Sequence, residues 1–488
     1  MSLMLRLFTL PDNLQLFDSP PTIGNHDGRL LCYALPASFV KIALGRPEYR
    51  MFRRIVIFGF LTIAPGVAEA APLTEKEQQI ISQVEIREPA ARLLLKKIVN
   101  INSGTMNFDG VKKIAAVFTL EYEKLGFTTE WVDGSPFKRA GHFIARFGNT
   151  GPRLMLIGHL DTVFALDGPF QKYKVVSETT AAGPGIVDMK GGDVVMLTAL
   201  QALAHTGVLD QISVRVILTG DEEKRGYPLP VAIRVLVDAG KWADIAIGFE
   251  DGDGDPTTAV ISRRGASNWE LEVTGRPAHS SQIFRAGYGY GSIYETARIL
   301  DGFRTSLSNE TNLTFNPGII VGGTQAEMDT ALATGSAYGK NNVIAETTRV
   351  TGDIRALTPE QLKRSQEMMT RIAAQNLDET SANLHFLEGY PPMAPTDGNR
   401  QLLSIYNQIS QDLGMGEVSA VDPRKAGAAD ISFVAQYVDM AIDGLGLMGS
   451  GGHTVQESAD IRTLGQQTKR AALLLHRLGK MDANRPGF

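Results

Sequence analysis

The stretch RLMLIGHLDT, residues 153–162, indicates the fold. It places an apolar run, residues 153–157, directly before Gly158, His159 and Asp161. A short apolar run bounded by glycine and polar residues is typical of a buried strand. In open α/β sheets, reactive groups collect just beyond the carboxyl ends of the strands. The stretch therefore predicts a buried strand whose end carries candidate functional side chains.

The same pattern recurs twice further along the chain. Residues 213–218 precede the segment TGDEEKRG, and residues 245–249 precede Glu250. Apolar positions recur at helical spacing in 107–125, and residues 193–205 read as an amphipathic helix. Strands that alternate with helices predict an α/β fold with a mostly parallel sheet.

The pattern changes near residue 264. Residues 268–274 alternate like a half-exposed strand, and mixed helix and strand signals continue to about residue 387. We interpret residues 265–388 as a second, α+β domain inserted into the first. The flanking segments, 71–264 and 389–488, are then the two parts of one catalytic domain. Further helices are predicted at residues 401–413 and 466–478.

The N-terminal region carries a candidate export signal. Residues 51–71, MFRRIVIFGFLTIAPGVAEAA, combine two arginines, a short apolar stretch and a small-residue cleavage site. We predict a signal peptide over 51–70, a secreted or periplasmic protein, and a non-native leader over 1–50 ahead of a true start at Met51. A buried strand or an N-terminal anchor is the alternative interpretation. N-terminal sequencing of the natural protein tests this prediction, because a peptide from residues 1–50 would contradict it.

Charge and cysteine content exclude some classes of function. The chain has 48 Lys and Arg against 53 Asp and Glu, a net charge of −5, and no long basic run. Nucleic acid is therefore not an expected partner. We expect no membrane association once the signal is cleaved. Cys32 is the single cysteine and precedes the predicted cleavage site, so the mature chain is expected to lack disulfides.

Several glycine-flanked segments carry residues that bind metals. The residues are His159, Asp188, Glu222, Glu223, Glu250 and His453. Each is ordinary alone: Asp188 would equally serve as a helix N-cap, and adjacent glutamates are usually solvated. Together they fall at successive predicted strand ends and form a ligand set for two divalent ions, with zinc the natural choice for nitrogen and oxygen ligands. One of the two adjacent glutamates would bind metal while the other acts as general base.

These motifs, in this order, resemble the co-catalytic zinc aminoacylase and carboxypeptidase superfamily over about residues 85–480. The segments 221–224, 249–250 and 444–453 are most similar to those of the bacterial secreted glutamate carboxypeptidases. The resemblance implies a zinc-dependent exopeptidase-like catalytic domain and an inserted lid through which two copies dimerise. It also implies that the substrate is a small peptide or an N-acyl amino acid.

The resemblance implies a role for each residue of the set. His159 and Glu250 would each bind one ion, Asp188 would bridge both, and Glu223 and His453 would hold the second ion. Glu222 would be the general base and Asp161 would orient His159. The implied cofactors are two zinc ions, with cobalt or manganese as other candidates, and a hydroxide shared by the two ions would attack the amide carbon.

The lid contributes further candidates by the same resemblance. His279 would reach the partner subunit's active site and stabilise the oxyanion, or else serve only the lid structure. Asn342 and Arg355 match substrate-contact positions, although Arg355 lies in a predicted strand and would equally be structural. Tyr390 replaces the arginine that holds the substrate carboxylate in glutamate-releasing members, and tyrosine cannot form a bidentate charge clamp.

Three functions are compatible with these residues. The first is metal-dependent release of a C-terminal amino acid, as in glutamate carboxypeptidases. The second is deacylation of N-acyl amino acids, or dipeptide hydrolysis, by the same machinery. The third is peptide binding without catalysis, which is disfavoured because Glu222 and the candidate ligands are all retained.

Overall fold

The computed structural model describes residues 73–481 except residue 331. The predicted leader, 1–50, and the predicted signal peptide, 51–70, lie outside these residues. The α-helices of the described part are α1 Glu75–Val99, α2 Phe108–Lys124, α3 Gly191–His205, α4 Leu229–Ala232, α5 Arg234–Trp242, α6 Gly291–Leu307, α7 Pro359–Ala373, α8 Asp397–Asp412 and α9 Arg462–Gly479.

Hydroxyl side chains fix where several helices begin. Thr74 caps α1 through a reciprocal pair of hydrogen bonds with Glu77, which satisfies backbone groups that the first turn leaves free. Thr396 caps α8 by accepting a hydrogen bond from the Asn399 amide. The helix predicted from residue 401 therefore begins four residues earlier, at Asp397.

A six-stranded sheet forms the centre of the larger part of the fold. Its strands are β1 Thr128–Asp133, β2 Gly141–Phe147, β3 Arg153–His159, β6 Ser213–Thr219, β7 Ile245–Gly248 and β16 Met440–Ile442, in the order β1-β2-β6-β3-β7-β16. Strands β6, β3, β7 and β16 are parallel, whereas β1 and β2 add an antiparallel edge. The predicted α/β class with a mostly parallel sheet is confirmed.

Helices cover both faces of this sheet. Alternate residues of β3 point to opposite sides: Leu154 and Leu156 join the apolar core that includes α1, α3 and α9, and Met155 and Ile157 join the core that includes α5. Burial on both faces explains why β3 reads as a continuous apolar run.

Residues 267–386 form a second sheet with its own core. Its strands are β9 Ser267–Gly275, β10 Thr314–Gly323, β13 Thr347–Arg355 and β14 Thr380–Phe386, all antiparallel in the order β10-β13-β9-β14. Trp269 and Phe303 pack edge to face in a core that α6 and α7 complete. Hydrogen bonds pair Ala266 with Tyr390 in both directions where the chain enters and leaves this segment.

Short strands complete the described part. They are β4 Lys174–Val175, β5 Thr180–Ala182, β8 Thr258–Ala259, β11 Gln325–Asp329, β12 Thr334–Tyr338, β15 Ser419–Ala420, β17 Gly449–Ser450 and β18 Ser458–Asp460. Strands β17, β18, β5 and β4 form one small antiparallel sheet. Among residues 73–481, apart from 331, no helix has the length and apolar character that a membrane crossing requires.

Candidate dinuclear metal centre

Three neighbouring parallel strands deliver candidate ligands to one edge of the central sheet. His159 ends β3, Glu222 and Glu223 follow β6, and Glu250 follows β7. Because β6, β3 and β7 are adjacent and parallel, their carboxyl ends meet at the same place. The repeated strand-end pattern of the sequence therefore places these side chains together.

The other two candidates arrive by different routes. Asp188 lies on a short turn between β5 and α3, and His453 lies on a loop after β17, which belongs to the small antiparallel sheet. Neither of these two residues therefore follows a strand of the central sheet. The N-cap interpretation of Asp188 is wrong, because its carboxylate contacts the two histidines and α3 has no side-chain cap.

The side chains form two groups that share Asp188. His159 Nε2 lies 3.1 Å from Asp188 Oδ1 and 3.5 Å from Glu250 Oε1. His453 Nε2 lies 2.9 Å from Asp188 Oδ2 and 3.1 Å from Glu223 Oε2. In each group the candidate ligand atoms all lie within 4.8 Å of one another. Asp188 thus presents one oxygen to each group, which is the arrangement that a bridging carboxylate requires.

The carboxylates give the site a negative electrostatic potential that favours the binding of cations. Burial lowers the pKa of His159, but Glu250, Asp161 and Asp188 outweigh it and raise that pKa well above its usual range. Hydrogen bonds to Asp188 and Glu223 raise the pKa of His453 to about 11. The carboxylates around the two rings therefore favour a positive charge at the ring nitrogens. A metal ion satisfies the same carboxylates with a higher charge.

The residues fit two divalent ions. Each group combines an imidazole nitrogen with two carboxylates, a donor set that suits zinc and related first-row metals. Glu223 Oε1 is buried and has no hydrogen-bond partner, which is unusual for a carboxylate oxygen. An ion between Glu223 and His453 would give that oxygen a partner.

Asp161 has a wider positioning role than the one expected from the sequence. His159 Nδ1 lies 3.0 Å from the Asp161 backbone carbonyl and 3.5 Å from its carboxylate, so the backbone makes the closer contact. The carboxylate accepts hydrogen bonds from the amides of Glu222 and Glu223, at 3.1 and 3.2 Å, and from the Thr105 hydroxyl. Asp161 therefore fixes both the His159 ring and the loop that carries the two glutamates.

Glu222 belongs to neither group of candidate ligands. Its carboxylate lies 3.3 Å from the Tyr390 hydroxyl. Burial raises the pKa of Glu222 to about 8, against the opposing effect of His159. A carboxylate with a raised pKa beside two cation sites has the properties of a proton-transfer group near neutral pH.

Two acidic residues that the sequence did not indicate hold the ligand loops. Glu457 accepts hydrogen bonds from the amides of Gly185, Val187 and Asp188, at 2.9, 2.9 and 3.2 Å. Asp443 accepts from the Glu250 amide at 3.2 Å and pairs with Arg263 at 2.9 Å. These contacts join segments about 180 to 270 residues apart, so no local sequence signal identifies them.

A close backbone approach at Gly192 also positions Glu250. A Cβ atom at Gly192 would lie 1.8 Å from the Phe249 carbonyl oxygen. Only glycine therefore lets the first turn of α3 pack against the end of β7. This contact explains one glycine of the segment 183–192.

Three further candidates, His279, Asn342 and Arg355, lie in the segment 265–388 and belong to neither ligand group. His279 bonds to Ser281 through Nδ1 at 2.9 Å, and a backbone bridge to Val343 sets it beside Asn342. Arg355 lies on β13 and pairs with Asp353 at 3.0 Å. The structure thus brings His279 and Asn342 together, apart from Arg355, and the contacts described for the three residues do not include the candidate ligands.

An open cavity of about 710 Å³ adjoins the site. Glu223 and Lys224 line one side of it, and Met106, Phe108 and Leu166 supply apolar surface. Met106 and Leu166 are 57% and 65% exposed, so this apolar surface is accessible to a ligand. The cavity offers space for a substituent of a substrate whose scissile bond lies at the metal ligands.

The fold and the site define a metal-dependent hydrolase of peptide or amide bonds. Residues 155–477, more than half of the chain, match the family described as peptidase family M20/M25/M40. The chain belongs to this family, and the superfamily resemblance is confirmed.

Individual relatives agree with this assignment. The chain is 25% identical over 426 residues to carboxypeptidase G2 from a Pseudomonas species, covering 86% of this chain and 96% of that protein. It is 27% identical over 381 residues to succinyl-diaminopimelate desuccinylase from Magnetococcus marinus, covering 73% and 90%. The fold resembles that of aminopeptidase PepT from Bacillus cereus, with a TM-score of 0.63 at 17% identity over 80% and 99% of the two chains.

Proposed function

We propose that the protein releases a C-terminal amino acid from a small peptide or an N-acyl amino acid, using two zinc ions. The observation that carries the proposal is the sharing of Asp188 between the two ligand groups, with Glu222 beside them and outside both. The similarity to carboxypeptidase G2 over 86% of the chain supports the choice of a carboxypeptidase. Cobalt and manganese are alternative metals for the same ligands.

Different residues of the chain would bind the metal ions, transfer the proton and position the base. His159 and Glu250 would hold one ion, Glu223 and His453 the other, and Asp188 both. Ions held there would supply Lewis acidity to water and to the scissile carbonyl. Glu222 takes a proton from the attacking water and then donates it to the leaving nitrogen, which its raised pKa favours. The Asp161 carboxylate keeps Glu222 in place by accepting a hydrogen bond from the Glu222 backbone amide.

Deacylation of an N-acyl amino acid is the second candidate function. The similarity to succinyl-diaminopimelate desuccinylase supports it, and it needs the same ligands and the same base. In addition, Tyr390 stands where a glutamate-releasing enzyme is expected to carry arginine. Dipeptide hydrolysis differs from these reactions only in the substrate. The candidates therefore differ in what binds around the metal centre, including in the cavity beside Glu223.

We expect the zinc-loaded protein to release free glutamate from an N-acyl-glutamate with an aromatic acyl group. The apolar surface of Met106, Phe108 and Leu166 would receive the acyl group. The assay follows free amino acid over a panel of N-acyl-glutamates, N-succinyl amino acids and dipeptides. Release from another member of the panel, but not from N-acyl-glutamate, would move the deacylase or dipeptidase function to first place. No release from any member, by protein that holds two ions per chain, would contradict the proposed function.

We also propose that residues 265–388 act as a lid through which two copies dimerise. Large apolar side chains are exposed on this segment, among them Ile293, Tyr294 and Ile320. Ile320 lies on β10, which is an edge strand and so has backbone groups free to pair. In the dimer, His279 of each copy, which lies beside Asn342, would reach the active site of the partner subunit.

Replacing Tyr294 with aspartate is expected to convert the dimer into monomers, because it would bury a charge in the interface. Sedimentation of the parent and the variant measures the change. The matched control is Tyr437→Asp, an exposed tyrosine in the C-terminal part of the chain. A parent protein that sediments as a monomer at all concentrations would contradict dimerisation.

We propose that residues 51–70 are a signal peptide and that the protein is secreted or exported to the periplasm. The sequence pattern of these residues supports the proposal. We expect the mature chain neither to associate with membranes nor to bind nucleic acid.

A further inference from the structure

Tyr390 faces the candidate base. The Arg225 guanidinium donates a hydrogen bond to the Tyr390 hydroxyl oxygen at 2.8 Å. The hydroxyl hydrogen is then left for Glu222, whose backbone carbonyl lies 3.0 Å away and whose Oε1 lies 3.3 Å away. Burial and the Glu222 carboxylate raise the pKa of Tyr390 well above its usual range, so the hydroxyl keeps its proton.

A buried ion-pair network fixes the arginine behind Tyr390. Arg225 pairs with Asp221 and Asp430, and all three side chains are almost fully buried. Asp430 also accepts a 2.5 Å hydrogen bond from Thr219, the last residue of β6. The arginine therefore has a single position relative to the strand that leads to Glu222.

Packing and backbone contacts fix Tyr390 itself. Its ring lies against Phe433, with centroids 4.7 Å apart, and below the Arg225 guanidinium. Its amide and carbonyl both bond to Ala266 at 2.9 Å, where the chain leaves for the second sheet. These contacts fix the position of the Tyr390 hydroxyl relative to Glu222.

We infer that Tyr390 is a positioning residue that holds Glu222 in place for proton transfer, through contacts of its hydroxyl with the Glu222 backbone carbonyl and carboxylate. This inference rests on the proposed function, in which Glu222 is the base. It also assigns a role to the position where the expected arginine is absent. Tyr390 acts on the base through its hydroxyl, and Arg225 supplies the fixed charge behind it. Other groups of the protein must then bind the substrate carboxylate.

The test is Tyr390→Phe, which removes the hydroxyl and keeps the ring. We expect kcat to fall about tenfold to a hundredfold with KM unchanged, because a hydrogen bond to a charged group is lost. In a Glu222→Gln background, the same substitution should cause no further loss. A residue that binds the substrate carboxylate would instead raise KM, and that result would overturn the inference.

The matched control is Tyr406→Phe. Tyr406 is also buried, donates to Gln467 at 3.3 Å and lies under an arginine, Arg470, but belongs to the core that α8 and α9 share. We expect it to lower the melting temperature without changing kcat. If Tyr390→Phe does not fold, 3-fluorotyrosine at position 390 keeps the ring and the hydroxyl and makes the hydroxyl more acidic, and kcat must shift while KM does not.

The outcomes separate the two proposals. A wild-type protein that loads two ions but hydrolyses no amide contradicts the proposed function. A wild-type protein that hydrolyses its substrate, with kcat unaffected by Tyr390→Phe, contradicts only the inference about Tyr390.

Discussion

Replacing Glu222 with glutamine is expected to lower kcat by about 10²–10⁴-fold while the protein still binds two metal ions. Glutamine keeps the shape of the side chain but cannot accept or return a proton. Glu222 lies outside both ligand groups, so the substitution leaves the ligand atoms intact. The measurements are kcat on the substrate identified by the panel and metal content per chain.

The adjacent residue provides the contrast. Glu223 Oε2 lies 3.1 Å from His453 Nε2 and is a candidate ligand. Glu223→Gln is therefore expected to lower metal content as well as activity, in contrast to Glu222→Gln. Full activity of the Glu222 variant, or loss of metal from it, would contradict the separate roles of these two glutamates.

Replacing Asp188 with alanine is expected to remove both ions and all measurable hydrolysis. Asp188 gives one oxygen to each group, so its loss weakens both sites at once. His453→Ala, which affects one group, should leave one ion bound. Metal analysis after dialysis against a weak chelator distinguishes the two variants.

Stability gives an independent readout of the same substitution. An ion at a concentration a hundredfold above its Kd stabilises the folded state by about 2.7 kcal/mol per site. Zinc should therefore raise the free energy of unfolding of the parent but not that of Asp188→Ala. Asp253→Ala is the matched control, since Asp253 bonds to Asp255 and Thr258 on a nearby loop and belongs to neither group. Equal stabilisation of the parent and Asp188→Ala by zinc would contradict a shared ligand.

The sequence was sufficient for the features that depend on local pattern. Residues 154–157 are buried on both faces of the sheet, and the apolar continuity of these four residues reports that burial directly. Residues 268–274 alternate because β9 packs one face on the core with Trp269 and exposes the other. Glu222, Glu223 and Glu250 were placed together because strand order brings the ends of β6 and β7 to either side of β3.

Features that depend on distant contacts were not predictable. The support of the Asp188 turn by Glu457 joins residues 269 positions apart. The Asp161 carboxylate was expected to act on His159, and it lies 3.5 Å from that ring. The hydrogen bonds that it also accepts from the amides of Glu222 and Glu223 were not foreseen. Tyr390 was seen only as a missing arginine, because its contacts with Arg225 and Glu222 span more than 160 residues. No pattern within a single segment reports such pairs.

Anomalous diffraction from crystals of the zinc-loaded protein would test the dinuclear centre itself. We predict two zinc peaks about 3.5–4 Å apart, with Asp188 between them. One peak should lie beside His159 and Glu250, and the other beside Glu223 and His453. A single peak, or two peaks that do not share Asp188, would contradict the dinuclear centre on which the proposed hydrolysis depends.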